Sequence, residues 1–149
     1  MKLQKDLHAF VELLNSRRVD YVVVGGHAVA FHGHPRFTGD IDFLVRPEPA
    51  NAARLIEVLE AFGFGGIGVS AADFLTPGRV VQLGRVPNRI DLLTGITGVT
   101  IDEIWAGRVA GVLDDLPVQF IGKDALLKNK SATGRTKDLA DAEALRRRS

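Results

Sequence analysis

Asp40 and Asp42 stand one residue apart in TGDIDFLV, flanking Ile41 and followed by Phe43, Leu44 and Val45. Side chains alternate between the two faces of a strand, so in a strand both aspartates share one face while Ile41 and Phe43 take the other. Their Cα atoms would lie roughly 6.5 Å apart. Both carboxylates can then reach one cation, or one cation each of a pair held about 3.5–4 Å apart. A third lone acid, Asp91, sits between Ile90 and Leu92 in NRIDLLTG. If the two strands are neighbours, three carboxylates converge. Each pair at about 5 Å repels by roughly 3 kcal/mol at an effective dielectric near 20. Either their pKa values rise or a cation sits among them. An oxygen-only donor set suits Mg²⁺ or Mn²⁺. The plainer reading, three strand-end residues capping loops, accounts less well for a D-x-D inside an apolar run plus an isolated third acid.

A second feature lies upstream, where VVVGGHAVA runs a strand into Gly25 and Gly26 and then a helix. Glycines allow a sharp turn and close approach to bare N–H groups, and a helix N-terminus adds unpaired donors and a positive dipole end. This makes a phosphate cradle, although neither a G-x-G-x-x-G fingerprint nor a G-K-[ST] loop is present. Beside it, Arg36 could pair with a phosphate and Thr38 could orient the loop, though an ion pair and a strand-edge hydroxyl serve equally well. Lys128 and Lys130 could reach a triphosphate from a late helix, or form a solvated face. His32 and His34 in HGHP lack further ligands at metal-site spacing and are expected to line the cleft. Lys137 and Asp141 are one helical turn apart and read as a surface pair. Trp105 reads as core, and Arg146, Arg147 and Arg148 as a basic helix end.

The elements that must position these groups follow from periodicity. Leu3, Leu7, Phe10, Val11 and Leu14 form one stripe of an amphipathic helix. VDYVVVGG and FTGDIDFLV read as strands around a short Ala-rich helix, and PANAARLIEVLEAFGF as a strong amphipathic helix ending near Gly63. GGIGVSAADFLTPG reads as a loop with one short strand or helical turn. RVVQLGRV and NRIDLLTG read as a hairpin, TIDEIWAG as a short helix capped by Thr100, and RVAGVLDDLPVQFI as a second hairpin turning at Asp114 and Asp115. Two helices close the chain. The order predicts one α+β (mixed α/β) domain over residues 1–149, with a mixed sheet flanked by helices.

Composition sets bounds. The 149 residues are 46% apolar and 25% charged, with net charge +1, so no overall field argues for bulk nucleic-acid binding. There is no cysteine, which excludes disulfides and thiolate metal sites. No apolar run reaches the about 18 residues of a membrane span, and MKLQKDLHAF lacks the apolar core of a signal peptide. The chain is expected to be a soluble cytoplasmic protein.

The sequence GG, then thirteen residues, then DIDFLV, with RIDLL later, resembles the nucleotidyltransferase superfamily that shares its fold with DNA polymerase beta. The longer stretches GGHAVAFHGHPRFTGDIDFLV and ALLKNKSATGRTKDLADAEAL are similar to its small bacterial branch, which includes AbiEii-type toxins and stand-alone minimal domains. The likeness spans roughly residues 19–46, 88–95 and 122–145. Gly26 stands where many relatives have Ser, which removes a hydroxyl contact to the nucleotide. The resemblance implies that Gly25 and Gly26 cradle an NTP, that Asp40 and Asp42 bind Mg²⁺ or Mn²⁺, and that Asp91 holds the catalytic metal. It implies transfer of an NMP to a hydroxyl of tRNA, protein or a small molecule, and a possible antitoxin partner. The alternative is a catalytically silent nucleotide-binding or partner-binding module of the same fold. A metal nuclease ranks below both, because RIDLL lacks the lysine of an E-x-K strand.

Overall fold

A computed structural model describes residues 3–35, 39–65, 67–84 and 89–147. Helix α1 (Lys5–Ser16) buries Leu7, Phe10, Val11 and Leu14, the stripe expected from the sequence. Strand β1 (Tyr21–Val24) is buried throughout and runs directly into α2 (Gly25–Phe31). Strand β2 (Ile41–Val45) follows, then α3 (Pro49–Ala61), whose first turn carries a proline that cannot donate there in any case. A 3₁₀ turn at Ala71–Phe74 precedes β3 (Val80–Leu83) and β4 (Ile90–Leu93). Helix α4 (Ile101–Gly107) opens on the anticipated Thr100 cap. The Thr100 hydroxyl accepts from the Glu103 N–H at 3.1 Å, and the Thr100 N–H donates to Glu103 Oε1 at 3.2 Å. Strands β5 (Val109–Leu113) and β6 (Leu116–Phe120) form the second hairpin, and α5 (Lys123–Thr133) and α6 (Thr136–Arg146) complete the described chain.

Six strands among the described residues form one sheet in the order β3-β4-β2-β1-β6-β5. The sheet is mixed. β1–β2, β3–β4 and β5–β6 pair antiparallel, whereas β2–β4 and β1–β6 pair parallel. Phe43 of β2 lies in an aromatic cluster with Phe10 of α1 (5.9 Å between ring centroids) and Tyr21 of β1 (5.4 Å). Because side chains alternate along β2, burying Ile41 and Phe43 against the helices turns Asp42 to the opposite face. The far ends of β1 and β2 are fixed by buried Asn51 of α3. Its amide accepts from the Asp20 N–H at 2.7 Å and donates to the Asp20 and Arg46 carbonyls at 3.0 and 2.9 Å. This locks the register that decides which residues meet at the other end.

Trp105 packs against the core as expected, though only partly buried. Its ring is half-buried, with the guanidinium carbons of Arg46 and Arg108 5.3 and 5.2 Å from its centroid. A guanidinium over the ring face is attracted by the ring's quadrupole. No helix among the described residues is long and apolar enough to cross a membrane.

Candidate active site

Sheet register assembles the site. Val24 of β1 pairs with Asp42 of β2, Asp42 with Asp91 of β4, and Asp91 with Gln82 of β3. Asp42 and Asp91 are therefore side by side on neighbouring parallel strands, on one face of the sheet. Asp40 immediately precedes β2. The Nη2 atom of Arg89 lies 2.8 Å from Asp40 Oδ2 and 3.2 Å from Asp91 Oδ2, so one nitrogen sits between those two carboxylates. The three acids predicted from the sequence are thus brought together.

Their electrostatics match such crowding. The Asp42 carboxyl is pushed up to about 7, first by burial, then by its hydrogen bond to Asp91 and the charges of Asp91 and Asp40, with Arg89 opposing. Asp91 is 7% exposed, and its Oδ1 is buried with no hydrogen-bond partner among the described residues. A buried carboxylate oxygen needs a donor or a cation; the proton that Asp42 keeps can supply the first, and a bound cation would supply the second. His27 of α2 is buried and hydrogen-bonds the Asp40 backbone, tying the helix to the start of β2; burial lowers its pKa, with that bond opposing.

Gly25 explains why the chain needs glycine after β1. Its φ is +70°, in the left-handed region, and a Cβ there would lie 2.1 Å from Asp42 Oδ2. Any side chain would collide with the carboxylate. Gly25 and Gly26 line, with Asp40, Asp42 and Asp91, a cleft of about 1030 Å³ whose far wall comes from α5 and α6. All-oxygen donors, a buried Asp91 oxygen and bare backbone beside Asp42 fit a divalent cation with a phosphate-bearing ligand.

Other sequence assignments fall differently. Arg36 and Thr38 lie outside the described residues. Lys128 does not line the cleft; its ammonium is engaged by Glu103 of α4. Lys130 is no solvated residue either. It is 8% exposed, borders the cleft, and bridges Asp138 at 2.9 Å and Asp141 at 3.3 Å. Asp141 is buried rather than part of a surface pair, and Lys137 lines the cleft. Burial favours the neutral form of Asp138, but hydrogen bonds from Lys130 and Thr133 and the charges of Lys130 and Arg135 outweigh it and hold the pKa low. His32 and His34 are not among the residues that line the cleft. His32 Nε2 meets the Ile121 carbonyl at 2.7 Å, and His34 Nε2 lies 4.0 Å from Asp141.

Sequence reasoning passed over Arg89 and the buried Lys130–Asp138–Asp141 network. The signal for Arg89 was its place two residues before Asp91, on the same strand face. Asp40, Asp42 and Asp91, with the Arg89 guanidinium between two of them, are spaced more widely than a preformed ion cage, whereas a separate group among the described residues, His8, Asp114 and Asp115, has its ligand atoms within 4.8 Å of one another. It lies on α1 and the β5–β6 turn, where His8 already bonds Asp115 at 2.6 Å and Glu12 at 3.0 Å.

A family model described as "Nucleotidyl transferase of unknown function (DUF2204)" matches residues 3–148. The fold is similar to that of the lincosamide antibiotic adenylyltransferase LnuA in its lincomycin-bound form, at TM-score 0.61 and 16% identity, covering 99% of this chain and 98% of that one. The antibiotic-resistance factor ANT(2'')-Ia matches at TM-score 0.59 and 14% identity, over 94% of this chain and 80% of that one. A Thermotoga maritima protein, TM1012, matches at TM-score 0.55 and 16% identity, over 95% and 88%. No curated protein has significant sequence similarity to the chain.

Proposed function

The chain belongs to the nucleotidyl transferase family DUF2204, and from that premise we propose that it transfers an NMP from an NTP to a hydroxyl acceptor in a reaction that depends on Mg²⁺ or Mn²⁺. The observation carrying the proposal is the register pairing of Asp42 with Asp91, beside Asp40 and against a glycine with no room for a side chain. Asp40, Asp42 and Asp91 would hold the metal. Bound there, the ion would lower the pKa of the attacking hydroxyl and offset charge on the triphosphate. Gly25 and Gly26 would receive the phosphates on bare backbone. The acceptor oxygen attacks the α-phosphorus in line as the bond to the pyrophosphate oxygen breaks. Asp91, which lines the cleft beside Asp42, would help take the hydroxyl proton.

The acceptor is open among RNA, protein and small molecules. LnuA is an antibiotic adenylyltransferase, and ANT(2'')-Ia has been observed with adenylyl-2''-tobramycin. A cleft of about 1030 Å³ has room for a nucleotide and a small acceptor together. A toxin role, with an antitoxin partner, would require tRNA or protein as acceptor. We place the reaction in the cytoplasm, where NTPs and Mg²⁺ are at hand. The test is incubation with α-labelled NTPs and Mg²⁺ against total tRNA, total protein and a panel of aminoglycosides and lincosamides. Metal-dependent label transfer to one class, lost in Asp42→Asn, is expected. Nucleotide binding without transfer, unchanged by Asp42→Asn and by chelator, would instead mark a silent module.

A further inference from the structure

Arg89 occupies ground that the proposed metal also needs. Its Nη2 donates to Asp91 Oδ2 at 3.2 Å and lies 2.8 Å from Asp40 Oδ2. Those oxygens are part of the donor set assigned to the metal. An arginine cannot lose its proton in a protein, so its charge is fixed and only its position can change. Its housing is also incomplete, since Arg89 Nε is buried with no hydrogen-bond partner among the described residues. A structural ion pair built for stability normally satisfies each buried donor. This one leaves a buried donor on Arg89 unsatisfied among the described residues.

We propose that Arg89 is a built-in counter-cation that holds Asp40 and Asp91 together without metal and must release at least one of them when a divalent ion binds. Arginine and ion then compete for the same carboxylate oxygens, and Arg89 sets how tightly the site takes metal. The proposal rests on the metal-dependent reading above. Arg89 acts through the carboxylates and is a positioning residue.

The direct test is Mn²⁺ titration without nucleotide, following free Mn²⁺ by electron paramagnetic resonance, for wild type, Arg89→Gln and Arg89→Lys. Removing the fixed charge should tighten Mn²⁺ binding at least about tenfold in Arg89→Gln, while Arg89→Lys stays near wild type. Equal or weaker binding by a folded Arg89→Gln variant overturns the proposal and leaves the metal reading standing. Absence of Mn²⁺ binding in all three proteins removes both. The wild-type protein supplies a second measurement should Arg89→Gln not fold. Its Arg89 Nε–Hε resonance should shift as Mg²⁺ is added, in step with the gain in melting temperature. A resonance that stays fixed while Mg²⁺ stabilises the protein would show that the guanidinium does not move, and would equally overturn the proposal.

Discussion

At the scale of single residues, the site is a problem of charge confined on dry backbone. Asp42 shows it most clearly. Its folded pKa of about 7 lies above the ordinary 3.8, so between about pH 4 and 7 the folded protein keeps a proton that the unfolded chain has given up. Stability of the metal-free protein therefore falls as pH rises across that window and levels off above it. Asp42→Asn removes the loss. In chelator at pH 8 it should stabilise the fold by about 1–2 kcal/mol in urea denaturation, with nucleotidyl transfer abolished; a destabilised variant would point to a structural role for the carboxylate. Gly25→Ala should act oppositely. Forcing a Cβ onto Asp42 at a φ of +70° should cost about 1–3 kcal/mol, and stabilisation by Mg²⁺ should disappear with it. Asp40, Asp42 and Asp91 were legible in the sequence because a lone acid in an apolar run is conspicuous. Arg89 was not, because an arginine at a strand edge looks like ordinary solubilising charge until its neighbours across the sheet are known.

At the scale of elements, periodicity carried the helices and strands well: the α1 stripe, both hairpins, the Thr100 cap and α3 all lie where patterning places them. Sheet order was not legible, because β4 joining β2 rather than an edge is a long-range choice that no local window records. Helices α5 and α6 misled for a different reason. Their junction buries Lys130, Asp138 and Asp141 alongside Leu126 and Leu145, so charged letters stand where a core position is usually apolar. The contacts explain the placement, since Lys130 satisfies two carboxylates that α6 turns inward. Lys130→Met would remove the cation that the two buried carboxylates share while Asp138 keeps Thr133 and Arg135, and its cost should be about 1–3 kcal/mol, read from urea midpoints. A loss no larger than a surface substitution would mean that the network is solvated and carries little.

At the scale of the whole molecule, one end of the sheet is fixed by Asn51 while the other opens into a cleft walled by β2, β4 and the last two helices. The net charge of +1 gives no general attraction for nucleic acid; binding depends on what the cleft gathers locally. A metal–nucleotide pair binding only the folded state at 100 times its Kd should add about 2.7 kcal/mol. For a chain of this size that is a rise of about 5–10 °C in melting temperature, and Mg²⁺ or nucleotide alone should give less. Anomalous diffraction from crystals grown with Mn²⁺ and a non-hydrolysable ATP analogue decides whether Asp40, Asp42 and Asp91 hold divalent metal against a triphosphate. The account predicts a Mn²⁺ peak about 2.1–2.2 Å from oxygens of Asp42 and Asp91, with phosphates beside Gly25 and Gly26. A nucleotide in the cleft with no manganese between those carboxylates would contradict it.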